Sequence, residues 1–254
     1  MRFRFTIILS LLVITIFTFV SCSKKEEFIV EPLSDYIPLQ KGKYITYRLD
    51  SMVFTNFGRN TEIHKYQARH MIDSLLTDNL GRPAWRVYTY IRDSAGTQLW
   101  TPNGSYFITP LPNQVEVIED NLRVMKLHSP LKEGYSWKGN MYLPDEPYRG
   151  TFDFNNDNDM EDWEFYYDIF ESSTSYSGQN YTDVHTVIQQ DDSFNVPIAD
   201  ISKYGYKTLS VEKYSKSIGM VFRQYELWEY QPNTSGPSPY KTGFGVTMWM
   251  IDHN

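Results

Sequence analysis

From residue 42 onward the chain is a succession of short stretches in which apolar and polar residues alternate, divided by clusters of turn-forming residues. In 42–54, Tyr44, Thr46, Arg48 and Asp50 share one face and Ile45, Tyr47, Leu49 and Ser51 share the other, which is the two-residue period of a strand. Residues 62–77 place His64, Tyr66, Ala68, His70, Ile72, Ser74 and Leu76 on one side of a strand, whereas a helix stacks Ile63, Tyr66, His70 and Leu76 only imperfectly. The turn cluster at 78–83 and the alternating Trp85, Val87, Thr89 and Ile91 then predict one long hairpin over 62–92. After a turn at 93–96, Leu99 and Trp100 begin an element that Thr101-Pro102-Asn103-Gly104 interrupts. Short strands are predicted at 105–109, 114–119 and 122–127, with a tight hairpin tip at 119–121. Further strands are predicted at 163–170, 182–190, 204–214, 220–230 and 244–251. Residues 144–160 and 231–241 are rich in turn formers and read as exposed loops. With no long amphipathic helix in the pattern, the expected class is all-β, an antiparallel sandwich or half-barrel of about 10–12 strands.

The N-terminus departs from this pattern. Arg2 and Arg4 precede a run from Phe5 to Val20 that carries no charge, which is the layout of an export signal. The run is also long enough to span a bilayer, and its right-hand end decides between the two readings. Phe19-Val20-Ser21-Cys22 looks like a lipobox, with a small residue before a thiol nucleophile; its Phe19 stands where a Leu is usual. Cys22 is the single cysteine of the chain, so no internal disulfide competes for it. The expected organisation is a cleaved lipoprotein signal over 1–21, a lipidated tether over 22–34 that includes Pro32, and a β domain over 35–254. Removing 21 of the 254 residues leaves 233, enough for one large domain or two small ones.

A five-residue pattern occurs twice. Pro38-Leu39-Gln40-Lys41-Gly42 precedes Tyr44 and Tyr47, and Pro130-Leu131-Lys132-Glu133-Gly134 precedes Tyr135 and Trp137. The echo divides the β domain into two related halves near residue 128.

Charge removes some partners. The full chain carries −7, and loss of Arg2 and Arg4 with no acid moves the mature protein to −9. That balance disfavours nucleic acid, whose affinity rests on Lys and Arg contacts to phosphate. Aromatic residues make up 16% of the chain, with 20 tyrosines, which suits a half-buried pleated surface and equally a sugar-stacking one. Of the six tryptophans, Trp100 is the first choice for a glycan platform, and core packing is the expected role of most of the others.

Catalytic chemistry is poorly represented. There is no Gly-x-Ser-x-Gly elbow, and Cys22 is assigned to lipid. His64 and His70 lie six residues apart on one strand face, roughly 20 Å, too far to share a metal. The remaining histidines show no ligand spacing. The sharpest candidate is the acidic loop 153–164, where Asp153, Asn155, Asp157 and Glu164 fall at positions one, three, five and twelve of a calcium-loop frame. The frame lacks its glycine at position six, and a solvated turn-rich loop accounts for the same residues. No metal is therefore assigned, and no cofactor is called for. Asp50-Ser51-Met52, Asp73-Ser74-Leu75 and Asp93-Ser94-Ala95 resemble acceptor triplets for O-glycosylation in exported Bacteroidota-type proteins, with Ser94 in a predicted turn.

The lipobox, the Pro-Leu-x-x-Gly segments, the Trp137-Lys138-Gly139-Asn140-x-Tyr142 stretch and residues 212–223 (EKYSKSIGMVFR) together resemble uncharacterised Bacteroidota-type surface and outer-membrane lipoproteins. The resemblance implies an all-β lipoprotein and supplies no activity. Ser23 after the cysteine, and the Lys24-Lys25-Glu26-Glu27 run, resemble outer-membrane sorting and surface-export signals. The expected protein is a non-catalytic, lipid-anchored binding module of the envelope, at the outer membrane and exposed at the cell surface, with a glycan or protein partner. The alternatives are a structural or assembly subunit of an envelope complex, and a lipid carrier with an apolar cavity. In residues 212–223, Gly219 is expected to permit a bulge or turn that lets Tyr214 and Val221 face one core.

Overall fold

A computed structural model describes residues 31–152, 154–157, 159–176, 178–232, 236 and 238–254. The expected signal over 1–21, Cys22 and the rest of the expected tether up to residue 30 lie outside the described residues. The strands are β1 (Tyr44–Thr55), β2 (Asn60–Thr77), β3 (Pro83–Asp93), β4 (Thr101–Pro110), β5 (Gln114–Glu119), β6 (Leu122–His128), β7 (Ser136–Lys138), β8 (Glu164–Tyr176), β9 (Gln179–Phe194), β10 (Gly205–Ser215), β11 (Gly219–Gln231) and β12 (Tyr240–His253).

All twelve belong to one antiparallel sheet of order β6-β5-β4-β3-β2-β1-β12-β11-β10-β9-β8-β7. The all-β, antiparallel expectation holds, and one sheet rather than two facing ones makes the architecture a barrel. The sheet nearly closes on itself. Met125 N–H donates to the Gly139 carbonyl at 2.8 Å, and Trp137 Nε1–H donates to the Met125 carbonyl at 2.9 Å, joining β6 to the end of β7. Closure of this kind removes the exposed edges that an open sheet of amide groups would present.

The described residues therefore run as two six-strand meanders, and the first strand of one pairs with the last strand of the other. Each meander starts from a Pro-Leu-x-x-Gly turn of the same geometry. Gly42 and Gly134 have φ of +85° and +75°, a region that glycine enters without a Cβ penalty. Gly42 N–H donates to the Ile72 carbonyl of β2 at 2.8 Å, and Gly134 N–H donates to the Tyr167 carbonyl of β8 at 2.7 Å. Lys43 and Tyr135 each close their turn onto the third residue back, Gln40 and Lys132, at 3.0 Å.

A first sequence reading changes in β4. Thr101-Pro102-Asn103-Gly104 does not interrupt a strand but forms the start of β4, where Pro102 pairs with Tyr90. β5 pairs only with residues from Phe107 onward, so the missing N–H of Pro102 breaks no second ladder. The tip between β5 and β6 is the expected tight turn, with Asp120 and Asn121 at φ of +51° and +64°.

The two ends of the barrel are filled by non-strand segments. The lead-in to β1 buries Leu33 and Tyr36 and carries Ile37 and Leu39 against the main core. It is fastened to the β10–β11 turn where Ser217 N–H donates to the Asp35 carbonyl at 2.6 Å. Toward the other end, the long connection after Gly139, expected as an exposed loop over 144–160, instead buries Phe154 and Met160, with Leu143 and Trp163, in the same core. Tyr148 and Phe152 of that connection pack on Phe244 of β12, with ring centroids 5.3 Å apart in each case.

Candidate functional site

Between the two plugs the lumen keeps two cavities. One, of about 90 Å3, is walled by Ile37, Leu39, Ile45, Ile72, Val87 and Ile108. The other, of about 280 Å3, is walled by Leu143, Tyr148, Met160, Trp163, Tyr225 and Phe244. Val117, Glu119, Lys126 and Arg223 line both. The cavities thus meet at a group of charged side chains, beyond which the walls are mainly apolar, with Asp120 and Asn140 also lining the larger cavity.

The centre of that group is Glu212 on β10, whose side chain is 1% exposed. One carboxylate oxygen accepts from Lys126 Nζ at 2.9 Å and Arg223 Nε at 2.8 Å. The other accepts from Tyr214 Oη at 2.6 Å and Gln189 Nε2 at 2.8 Å, and the Gln189 carbonyl oxygen in turn accepts from Ser210 Oγ at 2.7 Å. Four donors therefore satisfy this carboxylate. Burial by itself would raise its pKa, but the neighbouring Lys126 and Arg223 charges outweigh burial and hold it near about 2. Burial pulls Lys126 downward, opposed by Glu212. Burial acts the same way on Arg223, but there Glu212 and Glu119 prevail and hold it firmly protonated. Glu119 stands 3.9 Å from Arg223 with 45% of its side chain exposed. His70 of β2 shares the lumen, its Nδ1 3.1 Å from Tyr106 Oη. Burial, with the Arg223 charge adding to it, pushes His70 down to about 3.

Two of these groups are placed by irregularities in the ladder. Glu116 pairs with Met125 and Val115 with Leu127, so Lys126 is the extra residue of a bulge in β6. Ser210 pairs with Gln190 and Val211 with Ile188, so Gln189 is the extra residue of a bulge in β9. A bulge re-aims a side chain that regular alternation would send elsewhere, and both bulges aim donors at Glu212. Neither Lys126, Glu212 nor Arg223 was reachable from sequence pattern. The inward face of β10 carries Thr208, Ser210, Glu212 and Tyr214, while Lys207, Leu209, Val211 and Lys213 face outward, so both faces mix polar and apolar residues. In the β10–β11 hairpin, Gly219 (φ +111°) stands two residues before the extra residue Val221, but Tyr214 and Val221 fall in two core clusters rather than the one expected, with Met220 packed against both.

The residues singled out in the acidic loop have separate partners. Asp153 lies outside the described residues. Asn155 N–H donates to Glu229 Oε2 at 3.2 Å. Asp157 Oδ2 accepts from Tyr148 N–H at 2.9 Å, its Oδ1 is buried without a partner, and burial raises its pKa. Glu164 opens β8 and accepts from Ser136 Oγ at 2.6 Å. Among the described residues no three His, Cys, Asp or Glu side chains gather as a metal would require. The loop's contacts fasten it to β11, where Asn156 Nδ2 also donates to the Trp228 carbonyl at 2.6 Å.

On the tryptophans, Trp137, Trp163 and Trp228 are core residues. Trp100 is half-buried over two guanidinium groups, 4.6 Å from Arg69 and 4.2 Å from Arg92. Of the three Asp-Ser-x triplets, Ser51 and Ser74 lie within strands, and Ser94 is exposed in the turn after β3.

No protein-family model and no curated protein matches the sequence. Among solved structures, the chain is similar to a Bacteroides fragilis protein described as exported and of YmcC-like fold. The identity is 11%, the match covers 85% of this chain and 96% of that one, and the TM-score is 0.34. It is also similar to an outer-membrane lipoprotein-sorting protein domain of Vibrio parahaemolyticus, at 11% identity over 84% of this chain and 85% of that one, with a TM-score of 0.18. Neither likeness transfers a residue role to this chain.

Proposed function

We propose that the protein is an exported lipoprotein, held at the outer membrane by lipid on Cys22, whose barrel binds an apolar or amphipathic small molecule in its lumen without chemical turnover. One observation carries the binding reading: a barrel plugged at both ends that nonetheless keeps apolar-walled space. Protein interiors are normally packed to crystal-like density. Together the two cavities, of about 90 and 280 Å3, reach the lower end of the roughly 300–1,000 Å3 typical of small-molecule sites. Export and anchoring are supported by the charged start, the apolar run and the single cysteine. Several acyl chains, at about 0.8 kcal/mol per buried methylene, make such an anchor firm.

Native mass spectrometry of the protein released gently from its host membrane tests both parts. The mature chain from Cys22 plus the acyl mass is expected, together with a further mass that disappears on unfolding. A lipidated chain with no releasable mass, and no binding of an apolar fluorophore such as N-phenyl-1-naphthylamine, removes the lumen reading. A Cys22→Ser variant that still fractionates with the membrane removes the anchor.

A further inference from the structure

We infer that the ligand of the lumen carries one anionic head group, a carboxylate or a phosphate, which sits on Lys126 and Arg223 while its apolar tail fills the adjoining cavity. This rests on the lumen being a binding site and adds the chemistry of what enters it.

The donor inventory is the first ground. An ammonium offers three N–H groups and a guanidinium five. Glu212 takes one from Lys126 and the Nε–H of Arg223, and its remaining lone pairs are filled by Tyr214 and Gln189. Its two cations therefore keep donors that Glu212 has no capacity to accept. Both cations line both cavities.

Charge balance is the second ground. Lys126, Arg223 and Glu212 leave one positive charge in a low-dielectric interior, where an unbalanced charge is expensive. Glu119 is the counter-charge at hand, but it stands beyond hydrogen-bond distance at 3.9 Å and is partly exposed beside the β5–β6 turn. An arriving monoanion can take its place on Arg223 while Glu119 turns to solvent. A cation would meet no free acceptor on Glu212.

Wall chemistry is the third ground. On one side of the charged group lie Ile37, Leu39, Ile45 and Ile72; on the other lie Leu143, Met160, Tyr225 and Phe244. A polar head fixed at the junction leaves any attached chain against apolar side chains. A guanidinium suits carboxylate and phosphate alike through paired N–H groups.

The test uses the whole mature chain with Cys22→Ser, so that no acyl anchor competes, and N-phenyl-1-naphthylamine as the bound reporter. Dodecanoate, dodecyl phosphate and dodecanol are compared as displacing probes of equal chain length. Either or both anions are expected to displace the dye at concentrations at least tenfold below dodecanol, and their ratio identifies the preferred head. Lys126→Met and Arg223→Gln are expected to bring that preference close to one while the dye still binds. Glu119→Gln, at a partly exposed position, is expected to strengthen anion binding several-fold and leave dodecanol unchanged; a merely destabilised protein would not do this. Equal displacement by all three probes in the unsubstituted barrel overturns the head-group site but keeps the lumen as a binding site. Anion preference that survives both cation substitutions, or is indifferent to Glu119→Gln, also overturns it. Failure of the dye and of all three probes to bind overturns the lumen reading itself.

Discussion

Glu212 and His70 answer to the same burial in opposite ways, and each leads to a measurable consequence. Glu212 is a carboxylate held charged by two cations, so Glu212→Gln leaves Lys126 and Arg223 buried without their partner. Removing one member of such a group typically destabilises by about 3–5 kcal/mol, and urea unfolding should show a loss of that size. His70 is held neutral, with a folded pKa near about 3 against 6.5 for the ordinary side chain. As pH falls below 6.5 the unfolded chain takes up that proton first. The stability due to neutral His70 is therefore fully present above pH 6.5 and lost progressively toward the folded value. Between pH 6.5 and 5 the loss is about 2 kcal/mol for this group. His185 is lowered too, by burial against the opposing charge of Glu31, and adds in the same direction. Glu212 joins only in stronger acid, below the ordinary carboxylate pKa. Melting temperatures measured from pH 7.5 to 5 should fall, and His70→Gln should flatten that fall. An unchanged slope in the variant would assign the acid sensitivity elsewhere.

At the scale of elements, the seam between β6 and β7 is where the barrel is most exposed to a single change. β7 is three residues long, and closure depends on Gly139 accepting from Met125. A Cβ at Gly139 would lie 2.2 Å from the ring of Phe165, a fully buried residue with no room to retreat. Overpacking of this kind costs about 1–3 kcal/mol or more. Gly139→Ala should therefore lower stability and speed hydrogen exchange at the Met125 amide. Equal exchange in both proteins would place closure elsewhere. The Pro-Leu-x-x-Gly turns belong to this scale as well. They were visible as a sequence echo because a positive φ at a fixed place favours glycine, and the structure gives both the same hydrogen bonds. The bulges at Lys126 and Gln189 left no such mark, because a bulge depends on what the partner strand does.

At the scale of the whole molecule, two six-strand meanders meet first strand to last, and the sheet wraps until β6 reaches β7. Wrapping turns the inner face of every strand toward a common lumen, so side chains distant in sequence become neighbours. Lys126 and Glu212 are 86 residues apart. The two plugs decide how much of that lumen stays open. The aromatic-rich connection after Gly139 fills one end, held by Asn155 and Asn156 against β11, so its turn-forming residues serve attachment as well as exposure. If the plug holds ligand in, Asn156→Ala, which removes the bond to the Trp228 carbonyl, should speed dye release from the lumen more than it lowers the melting temperature. Equal proportional effects would assign Asn156 to stability alone.

By itself, the sequence determined the all-β antiparallel class, most strand positions and the paired glycine turns, because alternation and turn chemistry act within a few residues; strand order came only from the structure. The proposed export signal and the role of Cys22 rest on the sequence alone, being linear features that are recognised as an extended chain. The chain pattern did not decide between sandwich and barrel, since both bury alternate residues of each strand. It also did not reveal Glu212, Lys126 and Arg223 as one group. β10 and β11 pair as neighbours and set Glu212 opposite Arg223, but β6 with Lys126 reaches them only through barrel closure, and two of the donors are aimed by bulges. Pro102 was misleading for a related reason: whether a proline breaks a strand depends on whether a neighbour needs its N–H. Tertiary structure decided these points because each depends on which strand lies alongside, information that no local stretch of the chain contains.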